Sequence, residues 1–286
     1  MKNKKIINIL VGVIILFTIV VSLVGIITSK GGHSYEYVSI NNETVEIYGS
    51  GIYKNDSVSV VAQGLAQDFV SLIIGIPLLA YALLTFNKGS IKGKLLLSGI
   101  LGYFLYTYMS YSFLWNYNSL FLLYVAIMSL SSFALILTIM NINISNLKNQ
   151  FNDKLPHVFI GSTQIFIGIV IGLMWLAKIV PSITNNVIPE GLEHYTTLTI
   201  QAMDLGFIMP LAILSGILLI KRNNFGYLLS SIMIIKGSAL LISITAMIIG
   251  QMIADVDVNY VVISVFCLFD LLMISPLILL IKNIKK

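Results

Sequence analysis

The stretches YLLSSIMIIKGSALLISITAMIIG (Tyr227–Gly250) and YVVISVFCLFDLLMISPLILLI (Tyr260–Ile281) each run more than twenty residues with a single charged side chain, Lys236 in one and Asp270 in the other. A helix rises ~1.5 Å per residue, so about 20 apolar residues cross the ~30 Å hydrocarbon core of a bilayer. Both stretches are long enough to do so. A charge at the centre of such a span costs at least about 2.5–3.5 kcal/mol and turns toward a partner or a wet cavity. Counted from Tyr227 and from Tyr260, the two charges fall near mid-depth on consecutive antiparallel helices. They are therefore expected to meet, either as an ion pair that fixes helix register or as a functional charge site.

The rest of the chain repeats the pattern. Ile6–Thr28, Phe69–Phe86, Leu95–Trp115, Ser119–Met140, Val158–Val180 and Leu198–Ile220 are further apolar runs. The fold class expected is an all-α membrane protein of eight transmembrane helices. Residues are 57% hydrophobic and 10% charged, against roughly 25% charged in soluble domains. The surface can face lipid but not water. The net charge of +5 would suit nucleic acid in a soluble protein. Here the basic residues sit in short loops, with no basic stripe carrying interleaved aromatics, so nucleic acid is not an expected partner.

The organisation expected is an N-terminal transmembrane helix (1–28), an extracytoplasmic segment (29–66), spans two to four (67–140), a cytoplasmic loop (141–157) and spans five to eight (158–286). In the segment 29–66, residues Tyr35–Ile40 and Thr44–Tyr48 alternate as strands about the turn formers Asn41, Asn42 and Glu43, predicting a small β-hairpin. A short amphipathic helix is expected after Asp56 or Ser57. Thirteen of the seventeen Lys and Arg fall in segments that eight spans would put on one side, and nine of the twelve acids lie on or near the other. The positive-inside rule then sets both termini in the cytoplasm. The apolar core of Ile6–Thr28 is too long for a signal peptide, so it is read as a retained helix.

Some features of the two halves of the chain match. Pro77 precedes Lys88 by eleven residues, as Pro210 precedes Lys221, and Asn116-Tyr117 and Asn259-Tyr260 each introduce a span. Four plus four spans in one orientation would make a parallel repeat. Alternating hairpins of any membrane protein would also look alike in this way.

The stretch Tyr48-Gly49-Ser50-Gly51-Ile52-Tyr53-Lys54-Asn55-Asp56-Ser57, then Gln67-Asp68 and Ile76-Pro77-Leu78-Leu79, with Gly93-Lys94-Leu95-Leu96, Tyr103, Tyr106 and Tyr117-Asn118-Ser119-Leu120-Phe121, resembles a family of bacterial multi-pass membrane proteins with no known activity. The resemblance implies a bacterial cytoplasmic membrane and nothing about chemistry.

Beyond Lys236 and Asp270, the candidate site residues are Asp204 and Gln201, which share a helix face, and Lys178 at the outer end of span five. Asp68, Gln67, Tyr103 and Tyr106 are candidates for an outward-facing vestibule, each with a structural alternative as helix packing or interfacial anchoring. Three histidines in loops or at span ends, one cysteine, and no H-E-x-x-H, Walker or G-x-S-x-G motif give no metal, cofactor or catalytic nucleophile. The partners expected are the lipid bilayer and a small solute or ion. A transporter-like protein is the leading function. A sensor or assembly module using the outer loop 29–66 is the alternative, and an enzyme is not expected.

Overall fold

The computed structural model describes residues 3–29 and 33–285. It is a bundle of helices with one two-stranded sheet. Helix α1 (Lys4–Thr28) leads to strands β1 (Tyr35–Val38) and β2 (Thr44–Ile47). The strands pair antiparallel with Tyr35 opposite Ile47 and Val38 opposite Thr44, which is the expected hairpin. Asn42 takes the left-handed backbone that its turn needs (φ 60°).

Helix α2 (Val58–Val70) is capped by Ser57, whose hydroxyl accepts from the Val60 N–H. It was expected as a separate amphipathic segment. Instead it runs through a wide π-turn, Ser71–Gly75, into α3 (Ile76–Asn87), making one continuous rod. Helices α4 (Ile91–Phe113), α5 (Phe121–Ile139) and α6 (His157–Asn185) follow. Helix α6 continues past Pro181, which had been expected to begin a loop. Then come α7 (Thr199–Met203), a second π-turn Asp204–Ile208, α8 (Met209–Ile220), α9 (Asn224–Ile253) and α10 (Tyr260–Asn283).

Among the described residues, seven helical segments are long and apolar enough to cross a membrane, counting α2–α3 and α7–α8 as one each. Of the eight runs expected to span, α4 is the one that does not qualify. It is 23 residues long, but glycine, serine, threonine and tyrosine dilute its apolar content. The reason is its position. Helix α4 lies against α3, α5 and α9 and buries Leu95, Leu97, Leu101, Phe104 and Tyr108. A helix surrounded by protein has little lipid to face, so small and hydroxylated residues are suited to it.

The two π-turns fall at matching places. Each is followed at its second residue by a proline, Pro77 or Pro210. A proline ring clashes with the carbonyl four residues back in a regular helix, and the wider turn moves that carbonyl away. A proline within a span is thus accommodated here by a π-turn. Each rod then ends in the same tight turn. Gly89 and Arg222 adopt left-handed backbone, with N–H groups donating to the carbonyls of Phe86 and Leu219. Ser90 and Asn223 cap the following helices. Gly93 and Gly226 sit where a Cβ would strike the backbone of Thr85–Phe86 and of Leu218–Leu219. The members of every one of these pairs are 133 positions apart in sequence.

The segment 141–157 forms two short 3-10 turns. The chain's end is laid against it, with Phe151 bridged to Ile284. On the opposite face, Asp56 Oδ1 accepts from the Asn116 backbone N–H at 2.9 Å and from the Tyr195 hydroxyl at 3.1 Å, so the loop before α7 is docked onto the loop before α2.

Candidate functional site

A cavity of about 320 Å³ lies among α2, α4, α6, α7–α8, α9 and α10. Its walls are largely apolar, with Gln67, Tyr106, Gln164, Trp175, Asp204 and Lys236 supplying polar groups. That volume is at the small end of ligand sites, and the lining type is usual for them.

Lys236 is 5% exposed. Its stem passes over Gly102 of α4, where a Cβ would lie 3.7 Å from the lysine Cγ. Its ammonium is 3.9 Å from the centre of the Tyr106 ring, a cation–π contact that contributes about 2 kcal/mol when desolvated. The Tyr106 hydroxyl donates to Asp204 Oδ1 at 2.7 Å. The Trp175 indole N–H donates to Asp204 Oδ2 at 2.9 Å. One aromatic residue thus bridges the ammonium and the carboxylate: its face takes the cation and its hydroxyl takes the anion. Asp204 is the first residue of the second π-turn, a type of helix defect found often at functional sites.

Lys236 and Asp270, expected to meet, have different partners. Asp270 Oδ2 accepts from Thr245 Oγ1 at 2.6 Å, nine residues further along α9. The hairpin α9–α10 turns at residues 254–259, and residues equally far from that turn lie opposite one another. Asp270 therefore faces the region of Thr245, while Phe269 and Met273 line the cavity. Depth counted from opposite ends of the two runs hides this offset: measured from the shared turn, Lys236 lies 18 residues before Ala254 and Asp270 only 11 after Asn259.

The other candidates divide. Gln201 makes no side-chain hydrogen bond among the described residues and lies outside the cavity lining. Lys178 is 6.0 Å from the Trp175 ring and lies close to Gly191, toward the loop end of α6. Gln67 lines the cavity, and its Nε2 donates to Ser71 Oγ at 2.9 Å and to the Tyr103 hydroxyl at 2.8 Å. Tyr103 is buried and also bonds Ser243 at 2.9 Å. Asp68, the next residue after Gln67, points the other way, into the α1–α5 side. There its Oδ2 accepts from Tyr53 at 2.7 Å and its Oδ1 from Tyr111 at 3.2 Å. The expected vestibule group is thus split by the ~100° step between adjacent helical residues.

Trp175 and Gln164 were not singled out as ligand-facing. Gln164 Oε1 accepts from Ser215 at 3.0 Å, while its buried Nε2 has no partner among the described residues. Both residues are legible as polar or amphipathic groups within span five, but nothing local marks the side they face. The glycines of that span seat α6 on α8: a Cβ on Gly216 would strike the Gly161 carbonyl.

Among the described residues no three of His, Cys, Asp and Glu come together as a metal centre. Compared with protein-family models, curated proteins and solved structures, the chain matches none.

Proposed function

We propose that the chain is an eight-span, transporter-like protein of a bacterial cytoplasmic membrane, with both termini on the cytoplasmic side and the hairpin outside. Helix α4 is the eighth span, and the two sets of four are a parallel repeat. The matched π-turns, prolines, left-handed turn residues and close-packed glycines, all separated by 133 positions, support the repeat. Unrelated hairpins have no reason to share that spacing at each of these features.

The cavity between the halves is read as the solute site. The observation that carries this is the Lys236–Tyr106–Asp204 arrangement, in which an ammonium and a carboxylate face one space without neutralising each other directly. A small solute with an apolar body and a zwitterionic end complements it: an anionic group for Lys236, a cationic one for Asp204. Discontinuous helices around a central site are a recurring transporter device, and here both flanking rods carry a π-turn. No chemical transformation is involved in this reading.

The test is a thermal-stability screen of the purified protein against zwitterionic solutes with apolar side chains, followed by uptake into sealed vesicles. At least one solute should stabilise the wild type and neither Lys236→Met nor Asp204→Asn. Absence of any such solute overturns the cavity reading.

The alternative is a sensor or assembly module. It is favoured by one observation: all four residues of β1 are exposed, and Ile40 beyond it is 82% exposed. Solute binding without flux would select it.

A further inference from the structure

The first half of the bundle holds a second buried charge that the cavity does not use. Asp68 is 2% exposed and no Lys, Arg or His among the described residues lies against it. Its two hydrogen bonds come from neutral phenols, Tyr53 and Tyr111. The Tyr111 proton is moreover shared with the Gly64 carbonyl at 3.1 Å. Helix α1 is pressed directly against this group: a Cβ on Gly25 would strike the Asp68 carboxylate and the Tyr53 hydroxyl.

On the same face of α1, one and two turns back, are Ser22 and Thr18. Both are completely buried. Ser22 lies within reach of the Asp68 carboxyl and Thr18 within reach of the Tyr108 hydroxyl, but among the described residues neither makes a hydrogen bond of good geometry. The Tyr124 hydroxyl, on α5, is also buried; it lies near Tyr53 and Asn118 but among the described residues makes no hydrogen bond of good geometry, and its ring is 5.1 Å from that of Tyr111. Buried hydroxyls lacking partners are uncommon, and each needs an explanation. A lone buried carboxylate is more costly still.

We propose that this cluster is a binding site for a small monovalent cation, sodium, held by the Asp68 carboxylate with the hydroxyl oxygens of Ser22, Thr18 and Tyr124. A hard cation takes oxygen ligands, and one carboxylate neutralises one positive charge. A proton on Asp68 would remove the charge and still leave three hydroxyls unsatisfied. A water molecule would satisfy hydroxyls and leave the charge, so the competing arrangement is a proton and a water together, which the acidification arm below distinguishes. A monovalent cation does both. The position corresponding to Asp68 in the second half, 133 residues on, is Gln201, so one such site is expected per chain. The site is back to back with the cavity: Tyr111 lines the cavity and bonds Asp68. The proposal stands independently of whether the cavity takes a solute.

The experiment is thermal unfolding of the full-length purified protein at fixed pH and ionic strength, exchanging choline chloride for sodium chloride or potassium chloride. The midpoint should rise saturably with sodium and not with choline. Asp68→Asn should abolish the response. Ser22→Ala, which keeps the carboxylate and is the fallback if Asp68→Asn fails to fold, should shift it to at least about tenfold higher sodium. Asp204→Asn, in the cavity, should leave it intact. Equal behaviour in sodium and choline overturns the site, as does a sodium response that survives in Asp68→Asn. A potassium response equal to that of sodium overturns the assignment to the smaller ion. If acidification in choline gives the whole stabilisation and sodium adds nothing, Asp68 carries a proton and the proposal fails.

Discussion

Lys236 is held by an aromatic face rather than by an anion in contact with it. Exchanging both members of a buried charge pair for apolar or neutral side chains of similar volume is often neutral or stabilising, by about 1–4 kcal/mol, whereas removing one member leaves the other uncompensated and costs about 3–5 kcal/mol. Lys236→Met alone is therefore expected to unfold at a lower temperature, and the double variant Lys236→Met/Asp204→Asn to recover that stability without recovering solute binding, a combination that purely structural residues do not give. Tyr106→Phe keeps the ring under the ammonium but withdraws a donor from Asp204. Leaving a buried acceptor short of a donor costs about 1–3 kcal/mol, so its melting temperature should fall. Asp270→Asn alters only the bond from Thr245 and should leave binding unchanged; a loss as large as that in Asp204→Asn would restore the pairing expected from the sequence. That pairing was legible as two charges in apolar surroundings. Which charge faced which was not, because helix ends set the register of a hairpin.

At the scale of the element, the contact of α6 with α8 depends on a backbone approach at Gly161 and Gly216. Gly216→Val adds bulk where the facing atom is a main-chain oxygen that cannot rotate away. Overpacking costs about 1–3 kcal/mol, so unfolding should come earlier and the protein should be more readily cleaved by protease near residues 186–198. The loop before α7 makes a different prediction. Burial raises the carboxyl of Asp56 above its usual range, against the opposing pull of its bonds from Asn116 and Tyr195. Burial raises Glu193 likewise. A carboxyl whose folded value is raised contributes stability below its unfolded value and loses it as pH climbs through the folded one. Backbone hydrogen exchange in residues 190–198, taken relative to the intrinsic amide rate at each pH, should therefore show greater protection at acidic than at neutral pH. The hairpin was legible because alternation and turn residues are local. The fusion of α2 with α3 was not, because Gln67 and Asp68 read as a polar boundary although both are buried among tyrosines and serines.

At the scale of the whole molecule, reporter fusions to the two ends should signal from the same side of the membrane, and opposite sides would exclude an even number of spans. The apolar runs and the basic loops were open to reading from composition alone, since lipid selects for both. The repeat proposed above was only hinted at in the sequence, because the matches that support it are geometric, a proline with its π-turn or a glycine with its neighbour's backbone, more than residue identities. Such a π-turn contains one residue more than an α-helical turn, and that surplus sets the angular phase of everything before it. Deleting Gly206 would remove that surplus and leave Pro210 to kink the rod, and with no charge altered the carboxylate of Asp204 would swing by about 100° around the axis, away from Tyr106 and Trp175. A single-residue deletion at that point should thus silence the cavity as fully as neutralising the acid does, which makes the length of this segment as much a part of the site as its side chains.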